Sequence, residues 1–123
     1  MNPRVVAAEL DRMAAEPGIM GCALVDPATG LVWQASGSVP DAERTWEAAV
    51  DYWRLHDRQR AHFSGLGELA AAVMYHRGGV LAMFPCCTDP DLLLVSVGQH
   101  RGVDWTDWQR KTRALGQRLQ LPT

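Results

Sequence analysis

The chain has 123 residues, 47% of them hydrophobic and 21% charged, a balance that excludes wholesale disorder and suits one domain over residues 1–123 better than two separate cores. A formal net charge of −2 excludes broad attraction to nucleic acid or to an anionic membrane surface, so neither is expected as a partner. Eleven of the twelve basic residues are arginine, which reads as genomic bias before arginine chemistry.

Charged and apolar residues are interspersed from Met1 to Glu16, which gives no signal-peptide core. No later run is long enough to span a bilayer, so a cytoplasmic location without membrane insertion is expected. Asn2 is placed to cap a first helix with Pro3 in its opening turn, and Val6, Leu10 and Met13 then fall on one stripe. Pro17-Gly18 ends that helix. Ile19 to Val25 is apolar on both alternating sets, the pattern of a strand covered on both faces. Asp26-Pro27-Ala28-Thr29-Gly30 is turn chemistry that returns the chain into Leu31 to Ala35. After a polar break from Ser36 to Pro40, Ala42, Trp46, Ala49, Val50 and Trp53 recur at helical spacing in the longest helix, which is expected to end near Phe63.

Ser64-Gly65-Leu66-Gly67 breaks that helix and leads into Leu69 to His76, where three alanines leave helix and strand nearly equal by propensity and the context favours strand. Arg77-Gly78-Gly79 is a hairpin turn, and Val80 to Phe84 pairs back. Pro85 removes a ladder donor, so this strand ends, bulges or turns an edge there. Thr88-Asp89-Pro90-Asp91 is another turn, and Leu92 to Val97 is the last strand. Asp104, with Asp107 three residues on, caps a terminal helix whose inward face is Trp105, Trp108, Thr112, Leu115 and Leu119, despite Gly116. The three cysteines make no zinc or oxidoreductase spacing and are read as reduced, buried thiols.

The order is helix, two strands, helix, three strands, helix: an α+β layout with one antiparallel sheet covered by helices on both faces. The run from Gly21 to Gly30 into Leu31-Val32-Trp33-Gln34-Ala35-Ser36, and then Gly67-Glu68-Leu69 through Gly78-Gly79 to Leu92-Leu93-Leu94-Val95, resembles the roadblock, or dynein light chain, family, whose fold is profilin-like. The resemblance lies in element order and apolar rhythm over nearly the whole chain. It implies a five-stranded antiparallel sheet between the long helix on one side and the two terminal helices on the other. It also implies dimers, of this chain with itself or with an unlike paralogue, that continue the sheet across subunits. Bacterial members typically regulate or scaffold Ras-like small GTPases, so such a GTPase is the implied partner. The Trp-rich long helix and Pro85-Cys86-Cys87 depart from the usual pattern.

The residues support a dimer on their own account. At about 100° per residue, Ala42, Trp46, Ala49, Val50 and Trp53 share one arc of the long helix, whereas Ala48, Tyr52 and Leu55 lie nearly opposite. Glu43, Glu47, Asp51, Arg54 and Arg58 fill the remaining side. One sheet cannot cover both apolar arcs, so the Tyr52 arc is a candidate subunit contact; a modestly exposed Tyr and Leu is the plainer reading. Leu69 to His76 carries no charge between Glu68 and Arg77, and as an outermost strand it would be unprotected; as an interior strand it would need no protection. The resemblance places this strand at the dimer contact. The candidate interface is therefore Ala48, Tyr52, Leu55, Leu69, Ala71, Val73 and Tyr75.

No catalytic motif accompanies the pattern, and no enzyme activity, cofactor or metal is expected. Gly65-Leu66-Gly67-Glu68-Leu69-Ala70 satisfies a relaxed dinucleotide fingerprint, but it follows a helix and opens a strand, the reverse of the context that chemistry needs. His56 and His62, six residues apart, fall on different helix faces and read as solvated side chains amid Arg54, Arg58 and Arg60, although that basic cluster could also touch an acidic partner patch. His76 and His100 lie near strand ends, where either could approach a thiol. Trp33, Trp46, Trp53, Trp105 and Trp108 could wall a ligand cavity, but helical spacing explains at least four as core. The expected function is a non-enzymatic dimeric scaffold or regulator; a small-molecule sensor of profilin-like shape and a purely structural homodimer are the alternatives.

Overall fold

The computed structural model describes residues 1–120. Helix α1 runs Pro3–Ala14, its start fixed by the Asn2 side chain, which accepts the Arg4 N–H at 2.9 Å. Strands β1 (Ile19–Val25) and β2 (Val32–Gly37) form a hairpin. Its turn is organised by Asp26, whose carboxylate accepts the Ala28 N–H at 2.8 Å. Helix α2 spans Ala42–Arg58 and continues as a 3₁₀ segment, Arg60–Leu66. Strands β3 (Ala72–His76), β4 (Gly79–Cys87) and β5 (Leu92–Gly98) complete the sheet before α3 (Trp105–Leu119), which is capped by Asp104 accepting the Asp107 N–H at 3.1 Å.

The sheet has five antiparallel strands in the order β2-β1-β5-β4-β3, and its two faces carry separate cores. Cys22 and Leu24 of β1, Ala82 and Phe84 of β4 and Leu94 of β5 point toward α1 and α3, where Leu10, Met13, Trp108 and Leu115 meet them. Ala23, Val25, Met83 and Val95 point the other way, against Trp46, Ala49 and Val50 of α2. At roughly 1.5–3 kcal/mol for each large side chain buried, both layers contribute substantially to stability. They are unequal, however: two helices cover one face, and α2 alone leaves Met74, Leu81 and Val97 only partly buried on the other.

Three boundaries differ from the sequence expectation. The long helix ends at Arg58 rather than near Phe63, because the next positions on its inward arc are Asp57 and Arg60, which offer the sheet no apolar surface. Strand β3 starts at Ala72 rather than Leu69. Its pairing with β4 stops at Ala72 opposite Met83; beyond that point Pro85 has no N–H to give, and the Ala70 carbonyl is taken by the Gln109 amide at 3.1 Å. Strand β4 passes through Pro85 to Cys87 by a bulge against β5. Gly116 is a requirement and not a weakness of α3: a β-carbon there would overlap the Cys86 carbonyl oxygen.

Candidate interaction surface

Strand β3 is outermost. It pairs with β4 on one side, and on the other its backbone meets no strand of this chain among the described residues. An edge strand turns alternate N–H and C=O groups outward, and β3 has no inward charge, proline or bulge to discourage pairing with another chain. The sequence had left open whether this strand is interior; the topology settles that it is an edge.

Of the seven residues proposed for the interface, Ala48, Tyr52 and Leu55 stand exposed on the outer arc of α2, with Tyr52 51% and Leu55 47% accessible. Leu69, Ala71 and Val73 are half-buried, and Tyr75 is 60% accessible with its ring edge-on to His100 at 5.0 Å. Ala71 and Val73 pack toward the α1 and α3 core, so these side chains and the Tyr52 group lie on opposite sides of the sheet. The β3 side chains on the α2 side are Ala72 and Met74, which the sequence reading did not single out. Both alternating sets in this strand are apolar, so the pattern gives no parity signal by which to choose between them.

The rest of α2 is less solvated than the charge pattern suggests. Arg54 donates to the Pro27 and Ala28 carbonyls at 2.9 and 3.0 Å and ties the β1–β2 turn to the helix. His56 is half-buried and stacked on Phe63, with ring centres 5.3 Å apart. It lines a cleft of about 800 Å³ beyond the C-terminal end of α2, together with Trp53, Arg60, Pro27, Asp91 and Cys87. Trp46, Trp105 and Trp108 are buried and Trp53 packs on the α2-side core, whereas Trp33 is exposed on β2. Gly67 adopts a left-handed φ of 81° at the bend into β3, so it serves a turn, and no helix follows that could receive a pyrophosphate. The thiols of Cys22, Cys86 and Cys87 donate to the carbonyls of Leu10, Thr112 and Pro90, while His76 contacts the Met74 carbonyl and His100 packs on Tyr75.

No helix is long and apolar enough to cross a membrane among the described residues. An open-edged five-stranded sheet with one helix on one face and two on the other is the architecture of roadblock/LC7 domains. A roadblock/LC7 domain from Streptomyces avermitilis superposes with a TM-score of 0.73 at 16% identity, over 93% of this chain and 91% of that one. The gliding protein MglB of Thermus thermophilus gives 0.76 at 17% identity, over 95% and 90%. An MglB with a tetrameric arrangement gives 0.72 at 19% identity, over 95% and 90%. No protein-family model and no curated protein sequence matches the chain. Likeness at these identities establishes the fold, and the chain has the roadblock fold.

Proposed function

We propose that the chain is a non-enzymatic dimeric module that recognises a partner protein, and that the partner is a Ras-like small GTPase. The observations that carry this reading are the uncovered β3 edge and the exposed Tyr52 and Leu55 arc of α2, in a fold shared with an MglB of tetrameric arrangement. Two copies joined edge to edge at β3 satisfy the outward backbone groups and cover apolar surface that one copy leaves in water. The paired helices and continuous sheet then present a composite surface wider than either subunit. If that surface binds one nucleotide state of the GTPase more tightly, it shifts the population of states by that difference in affinity and by no more.

The test is retention of a Ras-like GTPase, loaded with GDP or with a non-hydrolysable GTP analogue, on the immobilised protein. Preferential retention of one form supports regulation. Equal retention of both leaves a scaffold without switching, and retention of neither removes the GTPase from the account.

The cleft beyond α2 favours a second reading, a small-molecule sensor, because about 800 Å³ is within the usual range for ligand sites. A saturable rise in melting temperature with one metabolite supports that reading.

A further inference from the structure

Adjacent residues in a strand send their side chains to opposite faces. Cys86 and Cys87 do not. Pro85 lies opposite Leu93 and Cys87 opposite Leu92, so Cys86 is the extra residue of the bulge. Both side chains therefore enter the same core, beneath α1 and α3. Close approach of Gly116 to the Cys86 carbonyl packs α3 directly against this backbone. The thiols are free, with Cys86 Sγ 3.6 Å from the Thr112 carbonyl and Cys87 Sγ 3.6 Å from the Pro90 carbonyl. Cys87 also lines the open cleft, so one residue of the pair borders a route from solvent. Interaction with the Cys86 thiol holds Cys87 below the usual thiol range, and that interaction together with burial pushes Cys86 up. Cys87, on the cleft, is the residue of the pair that an entering reagent meets first, and Cys86 is the second ligand.

We propose that Cys86 and Cys87 form a dithiol capture site, entered through the cleft, for a thiophilic centre that takes two thiolates, of the class of trivalent organoarsenicals. Among the described residues no set of three His, Cys, Asp or Glu side chains converges, so the pair lacks the ligands of a tetrahedral zinc site and suits a two-ligand centre. In the capture step two As–O bonds of the hydrated reagent break and two As–S bonds form. The two thiol protons leave with the oxygens as two waters, and no atom changes oxidation state. After the first bond forms, the second thiol attacks from within the same molecule, which makes the chelate far harder to displace than a single-thiol adduct.

Phenylarsine oxide is the probe, and native mass spectrometry is the readout. The folded wild-type chain is expected to take up one equivalent, keep it against excess glutathione and release it to 2,3-dimercaptopropanol. Cys86→Ser and Cys87→Ser are each expected to weaken retention by roughly 100-fold, and Cys22→Ser to leave it unchanged. Failure of the folded wild type to take up the probe, or its loss to glutathione as readily as to the dithiol, overturns the proposal without recourse to any variant. Equal retention by either serine variant also overturns it.

Discussion

Trp108 of α3 donates its indole N–H to the hydroxyl of Ser96 in β5 at 2.9 Å, a buried bond joining the terminal helix to the middle of the sheet. Trp105, one turn earlier and edge-on to Trp108 with ring centres 6.5 Å apart, has an indole N–H with no partner among the described residues. Losing one member of a buried pair leaves the other unsatisfied and costs about 1–3 kcal/mol. Trp108→Phe is therefore expected to destabilise more than Trp105→Phe, which removes an already unpaired donor. In chemical denaturation, Ser96→Ala and Trp108→Phe together should cost less than the sum of the two alone.

Gly116 sets the distance between α3 and the end of β4. Alanine is the best helix former and would ordinarily improve this position, but here its β-carbon overlaps the Cys86 carbonyl oxygen. Gly116→Ala is expected to lose about 3 kcal/mol in urea unfolding, the upper end of ordinary overpacking, because backbone and not a flexible side chain must give way. A gain in stability would show that α3 can shift freely.

Burial, with a smaller contribution from Asp11, pushes the Cys22 thiol up to about 12. The unfolded thiol ionises near pH 9. Between these values the unfolded state loses a proton that the folded state keeps, so this contribution to stability is complete below pH 9 and is lost as pH rises toward 12. The loss reaches roughly 4 kcal/mol at the upper end. Cys22→Ala should therefore show a shallower fall in melting temperature between pH 8 and 10.5 than the wild type, whatever its stability at neutral pH. Parallel slopes would contradict the assignment.

Tyr52→Arg and Leu55→Arg place charge on the exposed arc of α2. Each is expected to change monomer stability by less than about 0.5 kcal/mol, as surface substitutions do. In the proposed dimer each buries an unpaired guanidinium and weakens association at least tenfold in sedimentation equilibrium. Unchanged association in both variants would move the contact elsewhere.

The parts of the fold legible in the sequence were those governed by local chemistry. Asn2 and Asp104 cap as their types suggest, Asp26 to Gly30 makes the turn its composition demands, and the Trp46, Ala49 and Val50 stripe faces the sheet. What escaped depends on contacts between distant elements. The late start of β3 follows from Pro85 and from Gln109 holding Ala70, and neither effect is visible within the strand itself. Arg54 looks like one more charge on a solvated face until the β1–β2 turn is folded against it. Opposing orientations of Ala71 and Ala72 in β3 could not be ordered by pattern, because apolar residues occupy both. Pairing of the two cysteines on one face required the bulge, and Pro85 announced only that something irregular happens there.

The central claim is that the open β3 edge is covered by a second copy of this chain. Light scattering on the purified protein across a dilution series tests it most directly. The account predicts a mass of two 13.6 kDa chains that persists on dilution. A mass of one chain at every concentration would contradict it.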